Sequence, residues 1–154
     1  MSRLLVDGDQ PMRAEGERPF VMEGWIDTAP FEEFIGLRIA EARDGRALLT
    51  LPFTVKLAQG GGLMHGGALT SLADTAVAMA IKSLLPPGTQ FATTELSMKF
   101  LAPVREGMVT ARAEVHGPQG RTFFGEAVLT DDQGREVARF QSVFRVARGQ
   151  GFDA

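Results

Sequence analysis

A glycine-dense segment runs directly into an alanine-rich helix pattern, and the two together could act on a carbonyl group. The stretch Gly60–Lys82 reads GGGLMHGGALTSLADTAVAMAIK, with His65 between two glycine clusters. A helix that begins at Gly66 and Gly67 directs free N–H groups and the positive end of its dipole toward one point. Asp74 lies two turns further along this mostly apolar helix, where a carboxylate is unfavourable unless it has a partner or a chemical role. The pattern indicates an oxyanion hole with a catalytic acid or base nearby.

Composition and charge place the chain among ordinary globular proteins and exclude several kinds of function. Of its 154 residues, 44% are hydrophobic and 23% are charged, which is typical of one domain with a substantial core. A net charge of −3 offers no basic surplus, so we expect no nucleic acid partner. The absence of cysteine excludes disulfides and thiolate metal sites and fits a cytoplasmic location. The two histidines lack metal-ligand spacing, and no apolar run reaches the roughly 18 residues of a membrane span, so we expect neither a metal nor a membrane partner.

The elements that must position these groups begin with an N-terminal arm and a short helix. Residues 1–24 are rich in charge, glycine and proline, which predicts an extended arm. Trp25–Leu37 predicts a short helix, with Asp27 or Thr28 as its cap and Gly36 as its stop. The chain therefore divides into an arm at 1–24, a single domain at 25–148 and a tail at 149–154.

One long helix and six strands are predicted in the remaining chain. The helix pattern runs from Gly66 to about Leu85, where Pro86-Pro87-Gly88 ends it. Asp44-Gly45 predicts a tight hairpin turn between the first two strands. Strict alternation in the third strand places Thr93 on one face and Met98 on the other. The strand patterns lie at Arg38–Ala42, Arg46–Phe53, Phe91–Leu101, Met108–Val115, Thr122–Thr130 and Glu136–Val146. This order predicts an α+β fold in which a sheet curls around one helix.

The long helix is apolar on almost every side, and this pattern indicates whether copies of the chain associate. One curled sheet cannot cover all of it, and we expect the side that carries Ala78 and Met79 to stay exposed in a monomer. A contiguous apolar patch of that kind usually marks an interface. The pattern therefore predicts a homodimer about a two-fold axis, or a homotetramer built as a dimer of dimers.

Three segments of the chain resemble one protein family. The runs HGGALTSLADTAVAMA, MKFLAPV and GRTFFGEAVLTDDQGREVARF resemble the hotdog-fold thioesterases, and most closely the PaaI-like branch of the 4-hydroxybenzoyl-CoA thioesterase superfamily. The resemblance extends over about residues 30–146. It implies a hotdog fold, in which a curled antiparallel sheet wraps around one long central helix. It also implies dimers that share a sheet, and hydrolysis of acyl-CoA thioesters without metal or cofactor.

The same resemblance implies roles for individual residues. Asp74 matches the catalytic carboxylate of the family, and Gly67 matches the glycine whose N–H polarises the thioester carbonyl. Gln59 stands where the family usually has an Asn, six residues before His65. Thr93 matches a hydroxyl on the strand that faces the Asp of the partner subunit. Whether Asp74 activates a water as general base or attacks the thioester directly stays open.

Other residues carry weaker expectations. His65 either shapes the loop or takes a direct part in catalysis, and Gly66 contributes to substrate binding. Lys99 and Arg121 are candidates for contacts with CoA phosphates, although solvated surface charge is the alternative reading of each. Two other functions remain open on this basis. One is an acyl-CoA-binding hotdog protein without turnover, and the other is a hotdog hydratase or dehydratase in which His65 would be indispensable.

Overall fold

The computed structural model describes residues 1–151 as an α+β fold built on one six-stranded antiparallel sheet. The predicted tail lies partly outside the described residues, at 152–154. Along the chain the elements are β1 (Arg3–Leu4), β2 (Phe20–Val21), α1 (Pro30–Ile35), β3 (Arg38–Arg43), β4 (Arg46–Pro52), a 3₁₀ turn (Val55–Leu57), α2 (Gly66–Lys82), β5 (Phe91–Phe100), β6 (Met108–Gln119), β7 (Thr122–Thr130) and β8 (Glu136–Val146). The order across the large sheet is β3-β4-β6-β7-β8-β5, so β3 and β5 are its edges.

Helix α2 packs against the sheet and forms the centre of the core, as the sequence predicted. It contacts all six strands, which curl around it. Leu72, Ala76 and Val77 on the helix are fully buried. The close approach depends on Gly125 in β7, because a Cβ at that position would lie 2.2 Å from Cγ1 of Val77. A glycine is therefore required where the sheet comes nearest to the helix.

The hairpin turn between β3 and β4 confirms the prediction made from Asp44-Gly45. Both residues have positive φ angles, 53° and 76°, as a two-residue primed turn requires. Gly36 likewise ends α1 in the left-handed conformation, with φ 87°. Helix α2 ends at Lys82 and not at Leu85, because the last residues tighten into three-residue hydrogen-bonded turns.

The first helix is shorter than predicted, and its cap is different. It covers Pro30–Ile35 rather than Trp25–Leu37, and its N-cap residue is Ala29, without a side-chain cap. Asp27 does not cap the helix, because its carboxylate accepts hydrogen bonds from the chain's amino terminus and from two backbone N–H groups. Asp27 therefore belongs to the hydrogen-bond network of the N-terminal arm and not to the cap of α1.

The N-terminal segment is attached to the far end of α2. The indole N–H of Trp25 donates to the carbonyl oxygen of Lys82 at 2.9 Å, and the Lys82 ammonium donates back to the Trp25 carbonyl oxygen at 3.1 Å. The ammonium also lies 4.7 Å from the centre of the indole ring, and burial lowers the pKa of this lysine.

The side of α2 that carries Ala78 and Met79 was predicted to stay exposed in a monomer. Met79 is only 3% exposed in the single chain, so the prediction is wrong for Met79, and Ala78 is half-buried.

Strand β5 departs from the strict alternation that the sequence predicted. The pairing with β8 shifts between Thr93 and Glu95, which leaves Thr94 as the extra residue of a bulge. Thr93 pairs with Phe144 and Met98 pairs with Phe140, and both phenylalanines are buried in the core. Thr93 and Met98 therefore share the inner face of the sheet, which places the Thr93 hydroxyl toward α2.

None of the helices within residues 1–151 has the length and apolar character needed to span a membrane.

Candidate active site

A half-buried carboxylate and a hydroxyl form the centre of the site. The Thr93 hydroxyl donates to Oδ1 of Asp74 at 2.8 Å. Burial raises the pKa of Asp74, and the hydrogen bond from Thr93 partly opposes that rise because it stabilises the charged form. Both residues belong to the same chain, so the expectation that Thr93 faces the Asp74 of a partner subunit is wrong. The bulge in β5 is the physical reason, since it turns Thr93 inward.

The glycine-rich loop before α2 is folded by its own backbone. The N–H of Gln59 donates to the Leu63 carbonyl oxygen at 2.8 Å, and the Gln59 carbonyl oxygen accepts from the N–H of Gly62 at 2.9 Å. The side-chain oxygen of Gln59 accepts from the N–H of Gly61. The side-chain NH₂ of Gln59 has no acceptor within residues 1–151. Gln59 therefore stabilises the loop with its oxygen and keeps its amide donors available.

The N–H groups of Gly66 and Gly67, at the start of α2, differ in whether they have an acceptor. Nδ1 of His65 accepts from the N–H of Gly67 at 2.8 Å and so caps the helix. This hydrogen bond occupies the N–H that the sequence assigned to a substrate carbonyl. The N–H of Gly66, one residue earlier, has no acceptor among the described residues. The helix therefore offers Gly66, and not Gly67, as its free donor.

The two hydroxyl side chains of α2 between Gly66 and Asp74 are both bonded to the backbone of the helix. Thr70 donates to the Gly66 carbonyl oxygen and Ser71 donates to the Gly67 carbonyl oxygen, both at 2.8 Å. Such bonds to the preceding turn satisfy the hydroxyls locally. Gly66 and Asp74 are eight residues apart, which corresponds to about 12 Å along the helix axis. Within one chain, the free N–H of Gly66 and the carboxylate of Asp74 therefore lie far apart along the helix.

Phe100 at the end of β5 is a site neighbour that sequence reasoning did not single out. A Cβ at Gly66 would lie 3.0 Å from Cζ of Phe100, so the ring rests directly on this glycine. Only the alternation of β5 could have suggested an inward position for Phe100, and nothing local links it to a loop far earlier in the chain.

In the part of the chain that the structure describes, the two candidate phosphate contacts, Lys99 and Arg121, have no bond to the groups of this site. Lys99 is an exposed residue of β5, and its register partner in β8 is Arg139. The Arg121 guanidinium donates to the Val146 carbonyl oxygen at 3.0 Å, so part of its donor capacity serves the end of β8. Within residues 1–151 neither cation is bonded to Asp74. Their contact with CoA stays a prediction.

A His–Glu–Glu cluster on the outer face of the sheet was missed from the sequence. Possible ligand atoms of Glu114, His116 and Glu126 lie within 4.8 Å of one another. The residues sit on the neighbouring strands β6 and β7, so no single motif reveals them. His116 bonds to Glu126 at 3.1 Å, and Arg46 pairs with Glu114 at 3.5 Å. Both carboxylates therefore already have protein partners.

Comparisons of the sequence and of the fold with known proteins agree with one another. The family model of the thioesterase superfamily matches residues 61–138. Acyl-coenzyme A thioesterase PaaI of Escherichia coli is 32% identical over 108 residues, which cover 70% of this chain and 75% of that protein. A 1,4-dihydroxy-2-naphthoyl-CoA hydrolase of Listeria monocytogenes is 34% identical over 102 residues, which cover 66% of this chain and 82% of that protein. Among solved structures, a conserved protein of Pseudomonas aeruginosa superimposes with a TM-score of 0.75 and 31% identity, over 78% of this chain and 95% of that one.

Proposed function

The chain belongs to the thioesterase superfamily, and on that premise we propose that it hydrolyses acyl-CoA thioesters to a free acid and CoA. The observation that carries the proposal is the hydrogen bond from Thr93 of β5 to Asp74 of α2, the helix whose first N–H is free. The relatives named as acyl-CoA and naphthoyl-CoA hydrolases support CoA thioesters as the substrate class.

Asp74 supplies the carboxylate of the reaction. Thr93 holds Oδ1, which leaves Oδ2 to accept a proton from water or to attack the thioester carbon. A raised pKa brings this carboxylate nearer to neutral pH, where a general base is most effective. In the general-base route, the water oxygen bonds to the carbonyl carbon, the C–S bond breaks, and the CoA thiolate takes up the proton that Asp74 accepted. In the nucleophilic route, an Asp74 oxygen bonds to the carbonyl carbon and the CoA thiolate leaves and takes up a proton from solvent; a water then hydrolyses the resulting acyl–Asp74 anhydride to the free acid and restores the carboxylate.

Gly66 supplies the donor for the charge that develops on the carbonyl oxygen. Its N–H lies at the positive end of α2 and has no acceptor within residues 1–151, whereas the N–H of Gly67 is bonded to His65. The amide NH₂ of Gln59, on the loop before the helix, is a second candidate for orienting the water or the carbonyl. These roles differ from the sequence-based assignment because Gly66 replaces Gly67 as the oxyanion donor.

The spacing along α2 supports a site shared between two copies of the chain. A carbonyl group bound at Gly66 is about 12 Å along the axis from Asp74 of the same chain, which is too far for direct attack. Two antiparallel helices about a two-fold axis would bring Gly66 of one subunit near Asp74 of the other. Strand β5 is an unpaired edge, with Leu96 45% exposed, and it could continue the sheet into a second copy. We therefore infer a homodimer with two composite sites; a dimer of dimers is the alternative assembly.

Substitution of Asp74 tests the proposed activity. Asp74→Asn keeps the side-chain shape but loses the base or nucleophile, so release of CoA thiol should fall by about 10²-fold or more. Asp9→Asn, on the exposed arm, is the matched control and should release thiol at the native rate. A folded Asp74→Asn protein with near-native turnover of a panel of acyl-CoAs would exclude this role for the carboxylate.

Subunit mixing tests the composite site. Asp74→Asn and Gly66→Pro each disable one half of the site, so a mixed dimer should regain part of the activity through one fully native site. Asp74→Asn mixed with Thr93→Val is the control, because both changes fall on the same half and should not complement. Verified heterodimers of the first pair that recover nothing would contradict the shared site.

The helix cap argues against the hydratase alternative. With Nδ1 of His65 accepting from Gly67, the proton of the neutral ring lies on Nε2. That ring has no free lone pair with which to remove a proton from a substrate. The thiol-release assay separates the remaining alternative, a binder without turnover. The cytoplasmic location expected from the sequence stays a prediction.

A further inference from the structure

Phe100 occupies an unusual position for a large apolar side chain. It ends strand β5, where it pairs with the fully buried Ala138, yet 56% of its surface is exposed. The residue does not belong to the buried core or to the side chains packed against that core. Its ring rests instead on Gly66 at the start of α2. A phenylalanine in this position contributes little to core packing and leaves half of its surface free for another contact.

The free surface of the ring borders the place where a bound carbonyl group must lie. A carbonyl oxygen that accepts from the Gly66 N–H places its carbon and both substituents of that carbon within about 5 Å of the Gly66 nitrogen. The Cζ atom of Phe100 lies 3.0 Å from where a Gly66 Cβ would be, so the ring bounds the same small volume. One of the two substituents is the sulfur of CoA, and the other is the first carbon of the acyl group.

We propose that Phe100 determines acyl-group specificity, by contacting the acyl group of a thioester bound at Gly66 and favouring planar aryl groups over alkyl chains. The inference rests on the proposed thioesterase function and deepens it. An aryl group conjugated with the carbonyl lies in the carbonyl plane and presents a rigid edge and face to the ring. Aromatic pairs in offset or edge-to-face contact gain more than their buried area provides, which corresponds to a preference of about threefold to tenfold.

The neighbouring exposed side chains are consistent with an apolar wall beside the thioester. Leu101, the next residue, is also about half exposed. Cationic and anionic groups are not bonded to the ring among the described residues. An exposed apolar ring without a bonded charge suits the acyl group better than the polar pantetheine and phosphate portions of CoA.

The experiment measures selectivity and not activity alone. The kcat/KM values for benzoyl-CoA and hexanoyl-CoA are compared in the wild-type protein, Phe100→Leu and Phe100→Tyr. Phe124→Leu is the matched control, because Phe124 is another strand phenylalanine, 41% exposed, on the outer face of β7. Phe100→Leu should lower the ratio of benzoyl-CoA to hexanoyl-CoA turnover by about threefold to tenfold. Phe100→Tyr keeps the ring and should keep the ratio, and Phe124→Leu should leave it unchanged.

Each other outcome has a definite meaning. An unchanged ratio in Phe100→Leu would overturn the proposal. An equal loss of both activities, or dissociation of the oligomer in sedimentation of Phe100→Leu, would also overturn it, because the ring would then serve structure or assembly. Failure of the wild-type protein to release thiol from any acyl-CoA would instead overturn the proposed function, on which this inference depends.

Discussion

Replacement of Gly66 by proline removes a single N–H from the proposed site at a position whose backbone accommodates proline. Gly66 is the first residue of α2, the helical position at which proline is best tolerated. His65, the preceding residue, has φ −61° and ψ 133°, which is the extended conformation that a residue before proline prefers. Gly66→Ala adds a Cβ at the same point, 3.0 Å from Cζ of Phe100, and keeps the N–H. The pair of variants therefore isolates the hydrogen-bond donor.

The expected difference follows from the energetics of the two effects. Loss of one oxyanion-hole donor lowers kcat by about 10²–10³-fold, or about 2.7–4 kcal/mol. The added Cβ displaces an exposed ring by a few tenths of an ångström, which costs on the order of 0.5–1.5 kcal/mol if the ring leaves its preferred rotamer. Gly66→Ala should therefore lose at most about tenfold in activity, whereas Gly66→Pro should lose at least about a further 10²-fold.

The assay is thiol release at saturating and subsaturating acyl-CoA, with thermal unfolding followed by circular dichroism for both variants. The loss in Gly66→Pro should fall on kcat, because the donor acts on charge that develops in the transition state. Equal turnover by Gly66→Pro and Gly66→Ala would refute the reasoning. The donor would then be Gly67, whose N–H would become free if His65 rotated away when substrate binds.

Four further measurements test other parts of the structure. Thr93→Val removes the hydrogen bond that lowers the pKa of Asp74, so the acidic limb of kcat/KM should move to higher pH; an unmoved limb would belong to another group. Because burial raises the folded-state pKa of Asp74 above its reference value of 3.8, its contribution to stability is present below that pH and is lost as pH rises through the folded-state pKa. Asp74→Asn should therefore stabilise the fold more at pH 7 than at pH 3 in urea unfolding, and a pH-independent difference would contradict this. Gly125→Ala would place a Cβ 2.2 Å from Val77 and should lower the unfolding free energy by about 1–3 kcal/mol, part of which a second change, Val77→Ala, should restore. Gln59→Ala should lower kcat more than it raises KM while Gln59→Asn stays active, and native kinetics for both would limit Gln59 to its contacts in the loop.

The parts of the fold that depend on short-range sequence were predictable. Gly36 and Asp44-Gly45 adopt the conformations that their residue types require, and α2 begins where its glycines and apolar period indicate. Asp74 was identifiable as a candidate because a carboxylate within an apolar helix is unfavourable without a partner or a role, and its catalytic role stays a prediction. These inferences need only neighbours within a few residues along the chain.

The parts that failed depend on contacts between distant segments. The bulge at Thr94 is fixed by pairing with β8, and no local pattern reveals where a strand takes an extra residue. The choice between the N–H groups of Gly66 and Gly67 depends on which way the His65 ring turns. Met79 is buried although one sheet alone was expected to leave it exposed, and Trp25 from the N-terminal segment packs on the same core. Such features are decided by packing across the whole chain.

The reciprocal hydrogen bonds between Trp25 and Lys82 have a practical consequence for spectroscopy of this protein. Trp25 is the only tryptophan in the chain, so intrinsic fluorescence excited at the indole band reports on the docking of the N-terminal segment against the end of α2. Peripheral segments open at free energies below that of global unfolding. A fluorescence-detected midpoint therefore marks the release of this segment and gives a lower bound on the stability of the sheet, which circular dichroism reports directly.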